Sequence, residues 1–197
     1  ISVEAKKYKT AREAWLECIE LEGDDPITTA RESLMRMYLD LKRYDAAYRL
    51  GERLADDPSV WIRYSYAVMA LQQKKPDADI EQCMVSAIQA NPFCAYYLAF
   101  YDTFNGVMEY TEDLAESEDE PQSSLEEAIE YCSSETVPMW LDSKANITLR
   151  NILVSAAQGN HSQLKPSDLE WSTRLTKIED ECDRIAMEAA LKEVKDE

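Results

Sequence analysis

Apolar side chains recur every three or four residues along most of the chain, the spacing of one face of an α-helix. The first such run covers residues 3–22 and ends at Gly23, with Pro26 just beyond it, as is typical of a helix C-terminus. The same periodicity predicts further helices at about 28–41, 45–55, 59–73, 78–90, 93–111, 125–132, 145–157 and 167–194. The pattern therefore predicts an all-α protein.

The prolines that end these helices are regularly spaced. Pro26, Pro58 and Pro92 follow one another at nearly equal intervals, and each comes after an acidic or amide residue. Their spacing is close to the period of a tetratricopeptide repeat (TPR), a pair of antiparallel helices with a length of about 34 residues. One helical hairpin cannot bury its apolar face alone, so neighbouring hairpins stack. We therefore expect a tetratricopeptide-like helical-hairpin solenoid over residues 5–92, with a long C-terminal helix capping it.

Charge and composition narrow the range of functions. The 197 residues include 39 acidic and 21 basic side chains, a formal net charge of -18, and residues 112–135 hold ten acids and no base. Such a field repels a phosphate backbone, so we expect no nucleic-acid binding and favour a protein partner with a basic surface. Simple solubility is the alternative reading of the acidic segment.

Catalytic and metal chemistry find little support in the sequence. Four glycines and a single histidine, His161, argue against Gly-rich phosphate loops, His-based metal sites and catalytic triads. The acidic pairs at 24–25 and 56–57 precede helix-ending prolines, where Asp serves turns and caps. We therefore expect no enzymatic activity, no cofactor and no metal.

The cysteines and the hydropathy bear on location. The five cysteines at 18, 83, 94, 132 and 182 form no CxxC pair, which is typical of buried thiols in a reducing compartment. No run approaches the ~20 apolar residues that span a bilayer. We expect a cytoplasmic or nuclear protein without membrane insertion.

Three short motifs carry a family resemblance: Trp61-Ile-Arg-Tyr64, Ala90-Asn-Pro92 and Ala95-Tyr-Tyr-Leu98. With them, residues 14–153 resemble a tetratricopeptide family related to the suppressor-of-tumorigenicity proteins, with relatives in bacteria and algae. The resemblance implies an all-helical repeat fold that binds a protein partner, and it implies no catalytic residues.

If the repeat geometry applies, the first helix of each pair lines a concave groove. The alternative is that the same side chains make ordinary surface and core contacts. The predicted groove residues are Thr29, Glu32, Arg36, Leu39, Ile62, Ser65, Met69, Gln72, Cys94, Tyr97, Tyr101 and Phe104.

The last predicted helix carries an apolar seam with steps of four and three residues, the spacing of a coiled coil. It either caps the array or pairs with a partner helix. Deleting residues 167–197 separates the two, because loss of a cap lowers stability whereas loss of a partner helix lowers assembly. The seam residues are Trp171, Leu175, Ile178, Cys182 and Ile185.

These observations define three segments: repeats at 1–111, an acidic mobile loop at 112–124, and C-terminal helices at 125–197 that complete and cap the array. We expect a non-catalytic interaction module or adaptor that binds a peptide or a basic protein surface in its groove. The alternative is a structural subunit of a larger assembly, held by permanent apolar contacts.

Overall fold

The computed structural model describes residues 3–23, 28–101, 122–141 and 143–169. Every regular element within these ranges is helical, so the prediction of an all-α fold is confirmed for them. The chain divides into two compact units, residues 1–83 and 84–197, with the boundary inside the fifth helix. None of the described helices combines the length and the apolarity that a bilayer crossing requires.

The first unit is made of helices packed next to their neighbours in sequence. Helix α1 packs on α2, α2 packs on both α3 and α4, and α3 packs on α4. Helices α2 to α5 begin and end within two residues of the predicted positions. The bounds are α1 (Val3–Glu22), α2 (Ala30–Asp40), α3 (Tyr44–Arg53), α4 (Val60–Gln72) and α5 (Asp77–Ala90).

The turn between α2 and α3 recurs between α4 and α5. Lys42 and Lys74 both have left-handed backbones, with φ of 53° and 54°. After each helix the same two hydrogen bonds close the turn: from Lys42 N to Leu39 O (2.9 Å) and Arg43 N to Tyr38 O (2.7 Å) in the first hairpin. The second hairpin repeats them from Lys74 N to Leu71 O and from Lys75 N to Ala70 O. This is the Schellman motif, so the two hairpins share one turn geometry.

Helices α3 and α4 approach closely at a glycine. A Cβ placed on Gly51 would lie 2.6 Å from Tyr66 Cβ, so only glycine fits there without movement. The Tyr66 ring lies 5.1 Å from the ring of Tyr48, measured between centroids. The fully buried small side chains Ala47 and Ala67 belong to the same two helices. Small residues therefore set the spacing of this helix pair.

A buried ion pair connects the start of α2 with the segment between α3 and α4. Arg31 at the start of α2 pairs with Asp57, and both side chains are almost completely buried. Arg31 also donates to Gly23 O, at the end of α1. Asp57 Oδ1 accepts from Ser59 N at 2.9 Å. The Asp-Pro stop predicted from the sequence thus serves a turn and a salt bridge.

The second unit is built around α6. Helix α6 packs against α7, α8 and α9, and a 3-10 turn packs against α9. Trp140 is fully buried and donates from Nε1 to Tyr131 Oη at 3.1 Å. His161 Nδ1 accepts from Gln163 N and Leu164 N, each at 3.2 Å, which gives the single histidine a role in the loop after α9. The elements are α6 (Pro92–Ala99), α7 (Gln122–Cys132), α8 (Val137–Trp140), α9 (Ser143–Ala157) and the 3-10 turn Pro166–Leu169.

Helix α6 differs from the prediction of one helix over 93–111, because it ends at Ala99. The reason is that side chains of α9 donate hydrogen bonds to the backbone carbonyl oxygens at the end of α6. Asn146 Nδ2 donates to Leu98 O at 2.9 Å and to Ala99 O at 3.2 Å, and Arg150 Nε also donates to Ala99 O. Carbonyls that have side-chain partners need no further helical turn.

Two other elements also begin differently from the prediction. Helix α7 begins at Gln122, ahead of the predicted start at Leu125, so the last residues of the predicted acidic loop are helical. Residues 166–169 form a 3-10 turn where the sequence predicted the first turn of an α-helix. The acidic stretch 112–121 and the predicted helix beyond residue 169 lie outside the described residues.

Candidate functional site

The predicted groove residues of α2 fall into a partly accessible row. Thr29 is exposed, whereas Glu32 and Arg36 are half-buried. The Glu32 carboxylate accepts from Ser59 Oγ. The Arg36 guanidinium lies 3.8 Å from the centroid of the Trp61 ring, a cation–π contact. The structure therefore brings these α2 side chains against the N-terminal end of α4.

Most of the other predicted groove residues are buried. The exceptions are Gln72, which is exposed, and Tyr101, which is half-buried. Buried side chains hold helices together and offer little surface to a partner. Phe104 and the seam residues from Trp171 to Ile185 lie outside the described residues. The buried members are Leu39, Ile62, Ser65, Met69, Cys94 and Tyr97.

A different surface of the first unit is open. A cavity of about 360 Å³ lies between the beginning of α1, the end of α2 and the beginning of α3. Its volume lies in the range of small-ligand and side-chain pockets. We call it the α1–α2 groove. It is lined by Tyr8, Lys9, Arg12, Met37, Tyr38, Leu41, Arg43 and Ala46.

The α1–α2 groove has an apolar floor and partly exposed apolar walls. Met37 and Tyr38 are buried beneath it, whereas Tyr8 remains 42% exposed and Leu41 38% exposed. Arg12 Nε donates to Tyr38 Oη at 3.1 Å, which fixes the guanidinium at the edge. The groove thus offers apolar surface to water beside oriented donors.

The charge of the α1–α2 groove is opposite to that of the chain. Among the side chains that the structure describes, the lining includes three cations, from Lys9, Arg12 and Arg43, and no carboxylate. A neighbouring depression shares Arg43 and adds two more basic side chains. Two nearby carboxylates have partners. Glu13 lies 3.8 Å from Lys9 Nζ and so offsets part of the charge of that groove cation, whereas Asp45 Oδ1 accepts from Gln73 Nε2 at 3.2 Å.

The sequence held one signal for this site that the repeat pattern did not use. Residues 1–58 contain ten of the 21 basic residues, against 13 acidic ones. Lys9 and Arg12 are well separated in sequence from Arg43, and the fold brings these three side chains to one cavity. Hydrophobic periodicity locates helices but does not say which charged ends meet.

Cys94, Cys83 and Tyr66 are poor candidates for chemistry, because their environments favour the neutral, unreactive form. Complete burial and the adjacent Cys132, whose Sγ lies 3.7 Å from Cys94 Sγ, raise the pKa of the Cys94 thiol. Burial likewise raises the pKa of the Cys83 thiol and, together with hydrogen bonding to Tyr48, that of the Tyr66 phenol. In the described ranges no three His, Cys, Asp or Glu side chains converge enough to hold a metal ion.

Comparisons of the chain with protein-family models, with curated protein sequences and with solved protein structures give no match. The resemblance to tetratricopeptide proteins therefore stays a prediction. The site on which a function can be argued is the α1–α2 groove, from its own geometry and charge.

Proposed function

We propose that the chain is a non-catalytic interaction module, built from tetratricopeptide-like hairpins, that binds a peptide segment of a protein partner on its first unit. The matching turns at Lys42 and Lys74 support the repeat, because stacked units of one kind are the basis of such arrays. The free thiols Cys18, Cys83, Cys94 and Cys132 fit a reducing compartment, the cytoplasm or the nucleus.

The observation that carries the proposal is the half-exposed apolar surface of the α1–α2 groove. Tyr8 and Leu41 lie over a buried apolar floor, so a side chain of a partner can displace water there without any rearrangement of the core. Burying one large apolar side chain contributes about 1.5–3 kcal/mol. Two or three such contacts contribute about 3–9 kcal/mol in total, and the cost of ordering a peptide lowers that sum, so we expect an affinity weaker than about 1 μM.

A matched pair of leucine substitutions tests this proposal. Peptides are selected from a display library on the full chain, and their affinities are then measured on Leu41→Ala and Leu21→Ala. Leu41 lines the groove, whereas Leu21 lies near the end of α1 and is 81% exposed. We expect Leu41→Ala to weaken binding about tenfold and Leu21→Ala to leave it unchanged. Equal effects, or a library that yields no binder, contradict the proposal.

A second candidate function, a subunit of a larger assembly, has one observation in its favour. On α9 of the second unit, Ile147 and Val154 are 57% and 49% exposed. They lie two helical turns apart and so share a helix face. If this face is a permanent interface, Ile147→Glu lowers the mass measured by light scattering. If the unmodified chain and Ile147→Glu both have the mass of a monomer, self-assembly through this face is excluded.

A further inference from the structure

We propose that the α1–α2 groove selects acidic segments: its occupant is a stretch of a protein partner rich in Asp and Glu around an apolar anchor residue. This inference rests on the proposed function and adds the chemistry of the ligand. It combines two features of one surface, the apolar floor under Tyr8 and Leu41 and the cations at its edge.

The local charge decides the sign of the partner. The described lining of the groove and the adjoining depression includes five basic side chains, Lys9, Arg12, Lys42, Arg43 and Arg49, and one carboxylate, Asp45. Glu13 lies 3.8 Å from Lys9 Nζ, so five cations face two carboxylates, an excess of three positive charges. Charges are screened over about 8–10 Å at physiological ionic strength. A docked segment therefore interacts chiefly with charges within about that distance, where the described basic side chains outnumber the acidic ones.

The sequence-based expectation of a basic partner used the acidic excess of residues 112–135 and of the C-terminal tail. More than half of the net charge of -18 comes from segments outside the described residues, since 112–120 contribute a net -6 and 170–197, with nine acids and five bases, a net -4. A basic partner for those segments stays a prediction. At the α1–α2 groove the described side chains favour the opposite sign.

Of the basic residues at the groove, Arg12 has an oriented side chain and Arg43 a fixed backbone before a ligand arrives. Arg12 is oriented by its bond from Nε to Tyr38 Oη. Arg43 follows Lys42, whose backbone is fixed by the Schellman turn. Preorganised donors lose less entropy on binding, and a guanidinium offers a planar fork that matches a carboxylate.

A short acidic peptide fits this surface better than a nucleic acid. The cationic patch is local, so a few carboxylates can be matched within it, whereas a longer phosphate backbone carries more charges than the patch can match and is repelled by the net charge of -18. The groove also buries apolar side chains, which a phosphate backbone does not supply. RNA is retained as an outcome of the test.

The test compares two arginines at opposite ends of one helix. Arg43 precedes α3 and lines the groove, whereas Arg53 is the last residue of α3, about 15 Å away at the helical rise. Arg43→Glu and Arg53→Glu change the net charge equally. Peptides are selected from the display library on the unmodified full chain, and a poly-uridine RNA oligonucleotide serves as the polyanion probe. Circular dichroism verifies that both variants fold.

We expect the selected peptides to be net negative around a Leu, Phe or other large apolar residue. Arg43→Glu should weaken the affinity of these peptides about tenfold, because one close charge pair is lost. Arg53→Glu should weaken it less than twofold. Raising the salt concentration should weaken binding to the unmodified chain.

Three results overturn the inference. Selected peptides that are basic or neutral, equal losses for the two variants, or RNA that binds more tightly than any peptide and depends on Arg43 each exclude an acidic peptide as the occupant. Basic peptides that still require Leu41 would leave the proposed function intact, whereas a library with no binder would contradict both.

Discussion

Lys42 and Lys74 adopt a left-handed backbone, in which glycine is the usual residue at the end of a helix. A side chain in this conformation costs roughly 1–2 kcal/mol. That the same cost is accepted in the equivalent turns of two hairpins shows that the turn is dictated by the packing of each hairpin. The sequence offered no glycine to mark these turns. The gap in hydrophobic periodicity located the first, and the run from Lys74 to Pro76 located the second.

Replacing Lys74 by glycine should therefore stabilise the chain. Relief of the left-handed strain exceeds the added entropy of the unfolded glycine, so we expect the free energy of unfolding to rise by about 0.5–1 kcal/mol. Urea unfolding measures the change. Gln82→Gly, at an exposed position inside α5, is the control and should cost about 1 kcal/mol. A loss of stability in Lys74→Gly would contradict the turn geometry.

The Cys94–Cys132 pair gives a prediction about pH. Because burial raises the pKa of the Cys94 thiol, the folded state favours the neutral form. This contribution to stability is complete below the ordinary cysteine pKa, about 8.5, and is lost as the pH rises above it. We expect stability to fall above pH 9 and both thiols to react with an aromatic disulfide reagent only as fast as the chain unfolds. Rapid labelling of either thiol in the native state at pH 8 would be the contrary result.

At the scale of helices, contacts between elements explain what the sequence pattern missed. Helical periodicity was enough to place α2 to α5 within two residues. It could not foresee the end of α6 at Ala99, because the groups that satisfy its carbonyls, Asn146 and Arg150, come much later in the chain. It also could not foresee that Ile62 and Met69, placed on the predicted groove, would be buried, because both faces of a central helix are apolar.

The α3–α4 contact yields a prediction at the same scale. Gly51→Ala places a methyl group 2.6 Å from Tyr66 Cβ. Overpacking of this kind costs about 1–3 kcal/mol, more than the gain in helix propensity, at most about 1 kcal/mol. We expect thermal unfolding to occur at a lower temperature. The control Glu52→Ala, at an exposed position of the same helix, should change stability by less than about 0.5 kcal/mol. A stabilised Gly51→Ala would mean that the two helices are further apart.

For the molecule as a whole, the net charge is negative, whereas the local charge of the α1–α2 groove is positive. From the acidic sequence we expect a partner with a basic surface, yet the α1–α2 groove of the first unit is lined by cations. The sum over a chain says nothing about which side chains a hairpin brings together. The fold class could be predicted from the sequence, whereas the α1–α2 groove depends on three helix ends meeting in space.

The most direct measurement of the central claim is an amide NMR titration of the isotope-labelled full chain with one selected acidic peptide. We predict that the largest shifts fall at residues 8–12, 37–43 and 46, the residues around the α1–α2 groove, and that Arg43→Glu suppresses them. Shifts concentrated on α6 or α9 would contradict the claim. So would peptide-induced shifts in Arg43→Glu that are as large as those in the unmodified chain.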